Sequence, residues 1–179
     1  MPKLTFMQPC DLSLPMGVGQ AKALAAGART DAALRRTLLC TAVADDGRRS
    51  RNAAWALTHL AATDAHLLVD HRTPLADLAI ATADTSLRRM AMTLLVHMEW
   101  TIDDIRTDLL DCCLLRLADP AEPYGVRALC AKLAWAQCRH YVELRAELHQ
   151  TLTLIEPHTI GPGLRNTRSK VLKAIQSTQ

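Results

Sequence analysis

Aromatic residues are scarce: three Trp, two Tyr and one Phe stand among 179 residues. Ala and Leu must fill most of the interior, and the shortage of β-branched and aromatic strand formers beside abundant Ala, Leu, Arg and Gln favours helix over sheet. Also missing is any run of about 18 or more apolar residues, so no membrane span is expected. Met1 to Pro9 holds a lysine but no long apolar stretch after it, so no secretory signal is expected there. A glycine-rich phosphate loop is absent too, because in Gly161-Pro162-Gly163 the proline removes one of the amide donors that such a nest requires.

The six cysteines do not suggest a disulfide framework. Cys40, Cys112, Cys113, Cys130 and Cys138 sit inside apolar helical runs, where a free thiol behaves as a small hydrophobe, and a reducing, cytoplasmic location is the expectation. His59, His66 and His71 lie close in sequence, yet no pair has the three- or four-residue spacing that puts two imidazoles on one helical turn. Cys138 and His140, two apart, point to different faces. No metal, cofactor or catalytic residue is assigned.

What the chain does have is a repeat. Arg51, Arg88, Arg127 and Arg165 recur at intervals of 37, 39 and 38 residues, each early in an Ala- and Leu-rich helical run. A period in that range marks stacked helical hairpins, each needing neighbours to bury its apolar faces. Four hairpins are expected. Their first helices lie near 31–44, 66–82, 102–117 and 139–155, and their second helices near 49–62, 86–97, 124–138 and 163–175. Joints at Asp45-Asp46-Gly47, Asp84-Thr85-Ser86, Asp119 to Pro123 and Glu156 to Gly163 carry turn and N-cap chemistry. Residues 1–30 read as an irregular lead-in or cap, broken by prolines and glycines but with room for a short helix at Gln20 to Ala28. Residues 31–179 form the array.

An acidic joint followed by an arginine early in the second helix resembles the HEAT repeat family, over about residues 31–175. The pairs that carry the resemblance are Asp45 with Arg51, Asp84 with Arg88, and Asp119 with Arg127; Glu156 precedes Arg165 more distantly. The resemblance implies an all-α fold, a short α-solenoid in which joint carboxylates and arginines form a ladder between repeats. Arg165, with the weakest acidic partner, is expected to be freer for a ligand.

Charge divides unevenly between the two sets of helices. The first helices with their joint acids hold 13 acidic and 7 basic residues, whereas the second-helix segments hold 11 basic residues and only Glu99 and Glu122. The resemblance implies that the second helices line the concave side, which is then basic, at Arg48, Arg49, Arg51, Arg88, Arg89, Arg127, Lys132, Arg165, Arg168 and Lys170. Trp55 and Trp135 are candidate stacking residues on the same helices. Such a surface attracts polyanions. The expected role is a binding or scaffolding module with a protein partner. The alternative is a DNA-binding member of this architecture, extending to a repair-type DNA glycosylase, with Trp100, Asp103, Asp104 and Arg139 compared with the HEAT-like alkylpurine DNA glycosylases. Against that comparison, Asp104 and Arg139 fall at the starts of first helices rather than on second helices.

Overall fold

The computed structural model describes residues 11–178; the first ten residues of the expected lead-in lie outside them. Among the described residues there are nine α-helices and no strand. The helices are α1 (Val18–Thr30), α2 (Ala32–Val43), α3 (Gly47–Asp64), α4 (Arg72–Ala81), α5 (Thr85–His97), α6 (Thr107–Ala118), α7 (Tyr124–Cys138), α8 (Val142–Leu154) and α9 (Pro162–Gln176). Four antiparallel hairpins, α2/α3, α4/α5, α6/α7 and α8/α9, follow one another as the period predicts.

Each first helix after α2 begins later than expected, and before α6 the reason is local, because side chains that bond to nearby backbone compete with helix at its start. Ala65–His71 and Ile102–Asp104 are 3-10 turns. In the second of these Thr101 and Asp104 cap each other, with the Thr101 amide on the Asp104 carboxylate at 2.8 Å. Pro74 falls in the first turn of α4, where its missing amide hydrogen has no helical partner to lose. Between α2 and α3 the chain reverses through two left-handed residues, Asp45 at φ 52° and Gly47 at φ 49°.

The lead-in is more regular than its glycines suggest. The short helix extends to 13 residues as α1, with Ala21, Leu24, Ala25 and Ala28 buried against the first hairpin. Gly17 and Gly19 lie at its N-terminal end and Gly27 in its last turn, so none interrupts the middle.

The helices form two layers. Helices α1, α3, α5, α7 and α9 lie side by side, each against the next, whereas α2, α4, α6 and α8 meet only sparsely. The closely packed layer is therefore the inner side of the curve. Small residues allow the approach: on α3 alone Ala53, Ala54, Ala56 and Ala61 are buried between neighbours. Leucines fill the seam, and among the described residues the single fully enclosed aromatic is Trp100, whose indole N–H donates to the Leu95 carbonyl at 2.9 Å.

The candidate binding groove

Side chains on the inner layer repeat in register. Arg51, Trp55 and Thr58 on α3 are spaced i, i+4, i+7, so they share one face. Arg89, Thr93 and Val96 on α5, Ala128, Lys132 and Trp135 on α7, and Thr167, Val171 and Ala174 on α9 keep the same spacing. All twelve line two adjoining hollows, of about 630 and 370 Å³, that meet at Lys132. Together the hollows make one groove across four helices. Its lining includes Arg51, Arg89, Lys132 and Lys170 and no carboxylate.

This register differs by one residue from the arginine period seen in the sequence. Arg51 is equivalent to Arg89, not to Arg88. The equivalents of Arg88 and Arg127 in the first hairpin is Ser50, and all three do the same work. Ser50 Oγ donates to the Thr41 carbonyl at 2.6 Å, Arg88 donates to the Thr82 carbonyl, and Arg127 Nε donates to the Leu117 carbonyl at 2.9 Å. Each satisfies a carbonyl at the end of the preceding first helix, where no intrahelical donor is available.

Arg88 and Arg127 are consequently buried, at 7% and 4% exposure, and do not belong to the concave surface assigned to them. Arg165 is not free either. Its Nε donates to the Pro157 carbonyl at 2.8 Å and its Nη2 to the Ile160 carbonyl at 3.1 Å, while Arg168 Nε reaches the Leu152 carbonyl at 2.7 Å. Neither lines the groove. Arg48 and Arg49 are exposed on the first turn of α3 outside the lining, and Arg49 lies 3.9 Å from Asp46. Arg51, Arg89, Lys132 and Lys170 remain, with Trp55 and Trp135 half-buried beside them. The rings differ in freedom, since Trp55 leans on His59 with ring centres 6.1 Å apart.

Ion pairs do run between neighbouring hairpins, with each arginine meeting the acid of the following joint and not that of its own. Arg51 pairs with Asp84 of the next joint, and Arg88 lies 3.8 Å from Glu122 of the joint after that. Asp84 also caps α5 by accepting the Ser86 and Leu87 amides. Burial raises its carboxyl, but the Leu87 amide and the Arg51 guanidinium outweigh this and hold it below its ordinary value. Arg127 has a carbonyl in place of a carboxylate partner.

The residues compared with glycosylases lie apart from the groove lining, and Trp100, Asp104 and Arg139 are committed elsewhere. Asp104 binds the Thr101 amide and hydroxyl and pairs with Arg72, contacts that hold its carboxyl below the ordinary range. Arg72 also lies 5.0 Å over the Trp100 ring, and Arg139 donates to the Trp100 carbonyl at 2.7 Å. The cluster fastens the second, third and fourth hairpins together.

Among the described residues no group of three His, Cys, Asp or Glu side chains is placed to hold a metal. The buried thiols of Cys113 and Cys138 are unsuited to nucleophilic work. A hydrogen bond with Cys130 and burial both push Cys113 up, and burial pushes Cys138 up to about 12. No described helix is long and apolar enough to cross a membrane.

Sequence reasoning missed the neutral half of the groove, Thr58, Thr93, Val96, Ala128, Val171 and Ala174. Their signal was the shared i, i+4, i+7 stripe recurring at 38, 39 and 39 residues, which the adjacent Arg88 and Arg89 disguised.

No curated protein and no solved structure matches the chain. A family model does, the HEAT repeat domain, over residues 10–175, and so takes in α1 with the four hairpins. With hairpins stacked in order, second helices inside and arginine-linked joints, the chain belongs to the HEAT repeat domain family.

Proposed function

We propose that this HEAT repeat protein is a binding scaffold whose inner groove takes an acidic, partly apolar segment of a partner protein. HEAT repeats typically mediate protein interactions, and the finer reading is carried by one observation: four cations, Arg51 among them paired with Asp84 outside the lining, and two tryptophans line a groove whose own lining contains no carboxylate. An anionic group entering it meets attraction from each helix it crosses.

The apolar share of the lining favours a polypeptide over a nucleic acid, whose charge is dense and regular along its backbone. A cytoplasmic setting belongs to this proposal, since the free thiols Cys40, Cys112, Cys113, Cys130 and Cys138 suit a reducing compartment.

The test compares an acidic amphipathic peptide with single-stranded and duplex DNA, at about 50 and 150 mM salt. The peptide should bind the native chain and lose at least about tenfold in affinity to an Arg89→Glu/Lys132→Glu variant. Tighter DNA binding with a steep salt slope would replace the protein reading with the nucleic-acid one. Binding of neither would end both.

A further inference from the structure

The groove presents one cation on each of four successive helices, and that repetition limits the shape of what can fill it. We propose that its occupant is an amphipathic α-helix lying across the inner layer, with a carboxylate at every seventh residue along one edge and apolar residues along the other. The proposal rests on the acidic-partner reading above and specifies the partner's conformation.

Arg51, Arg89, Lys132 and Lys170 stand on α3, α5, α7 and α9 in turn. Neighbouring packed helices are about 8–10 Å apart, so the anionic groups of the occupant must recur at about that step. Seven residues of α-helix advance about 10.5 Å and return to nearly the same face, drifting only about 20°. Carboxylates at i, i+7, i+14 and i+21 therefore keep pace with the cations. A β-strand does not, because residues on one of its faces recur at about 6.7 Å, and three-residue spacing alternates faces.

A polyproline helix returns to the same face about every 9.3 Å and would match the step. The width of the groove argues against it. From the row of Arg51 and Arg89 to the row of Thr58, Val96, Trp135 and Ala174 is seven residues along each helix, about 10.5 Å, and an α-helix is about 10–12 Å across. The far row carries no charge, whereas Arg51 and Arg89 stand in the near row and Lys132 and Lys170 about one helical turn closer to the far one, so the occupant lies aslant, its carboxylates following that oblique line of cations and its apolar edge turned to the far row. A thin polyproline ribbon would meet one row and leave the other to water. Room for the thicker body comes from α7, where Gly125 and Ala128 present almost no side chain to the groove.

Three peptides of about 24 residues, long enough to cross the four helices, test this on the full-length chain by fluorescence anisotropy and circular dichroism. One has Glu at every seventh position with Leu and Phe along the adjacent edge. A second has the same composition scrambled, and a third is proline-rich with Glu at every third position. The heptad peptide should bind at least about tenfold more tightly than the scramble, gain helicity on binding, and lose about tenfold in affinity to a Lys170→Glu variant. Lys170 is exposed, so that variant keeps its fold, which its unchanged helical spectrum checks. Equal binding of heptad and scrambled peptides would overturn the helical partner while leaving the acidic-partner reading in place. Tighter binding of the proline-rich peptide would overturn it in favour of an extended segment. Binding of none would overturn both.

Discussion

Arg88 and Arg89 are adjacent in sequence and opposite in situation. The Arg88 guanidinium is enclosed with the Thr82 carbonyl and Glu122, whereas Arg89 is exposed in the groove. Removing a buried donor leaves its acceptor unsatisfied, so Arg88→Ala should cost about 2–3 kcal/mol. Arg89→Ala, with no such contact, should cost less than about 0.5 kcal/mol. Urea denaturation of the two variants checks the difference, and similar losses would refute the one-residue shift in register. Ser50 belongs with Arg88. Its smaller side chain makes the corresponding bond to the Thr41 carbonyl, and no arginine count could have found it.

Helix ends and joints decide two further outcomes. Arg48 occupies the first turn of α3, at the positive end of the helix, with no acid beside it in that turn. Arg48→Glu should therefore stabilise the free protein by about 0.5–1 kcal/mol, less at high salt, as read from the urea midpoint at low and high ionic strength. A loss of stability would show that Arg48 has a favourable role in the fold. At the joints, Asp84 and Asp104 are held below their ordinary 3.8 by amides and by arginines. A depressed native value contributes stability that is complete above the unfolded value and disappears as pH falls through the native one. Stability should thus hold near neutral pH and decline as the pH drops through 3.8 and below. Asp84→Asn should be less stable than the native chain at pH 7 and should show a shallower acid decline; parallel curves would remove Asp84 from the account.

Across the whole molecule, stability passes from neighbour to neighbour. Each inner helix packs chiefly against the next inner one, and α9, with Leu164, Val171 and Ile175 buried, lies against α7 and α8. In such a stack the loss of an end hairpin weakens the one it covered more than those further away. Truncation after Arg139 should lower hydrogen-exchange protection in α6 and α7 strongly and leave α2 and α3 close to native. A uniform loss along the chain would indicate a single cooperative unit. On the other side of the first hairpin α1, with its buried alanines, lies close against α3.

Helix type, hairpin number and joint positions were set by local patterns, because apolar periodicity, prolines and N-cap residues act within a few neighbours of themselves. The third hairpin is the clearest case: Leu109, Cys113 and Leu117 with Asp119 and Pro123 define its first helix and joint without reference to the rest of the chain. Which of two adjacent arginines turns inward was not decided locally. Arg88 and Arg89 have the same chemistry, and their fates separate only when α4 brings its terminal carbonyl, and the next joint brings Glu122, to one of them. The groove depends on that separation, since its floor is assembled from four helices about 39 residues apart, and only their stacking puts Trp55, Arg89, Lys132 and Lys170 on one surface.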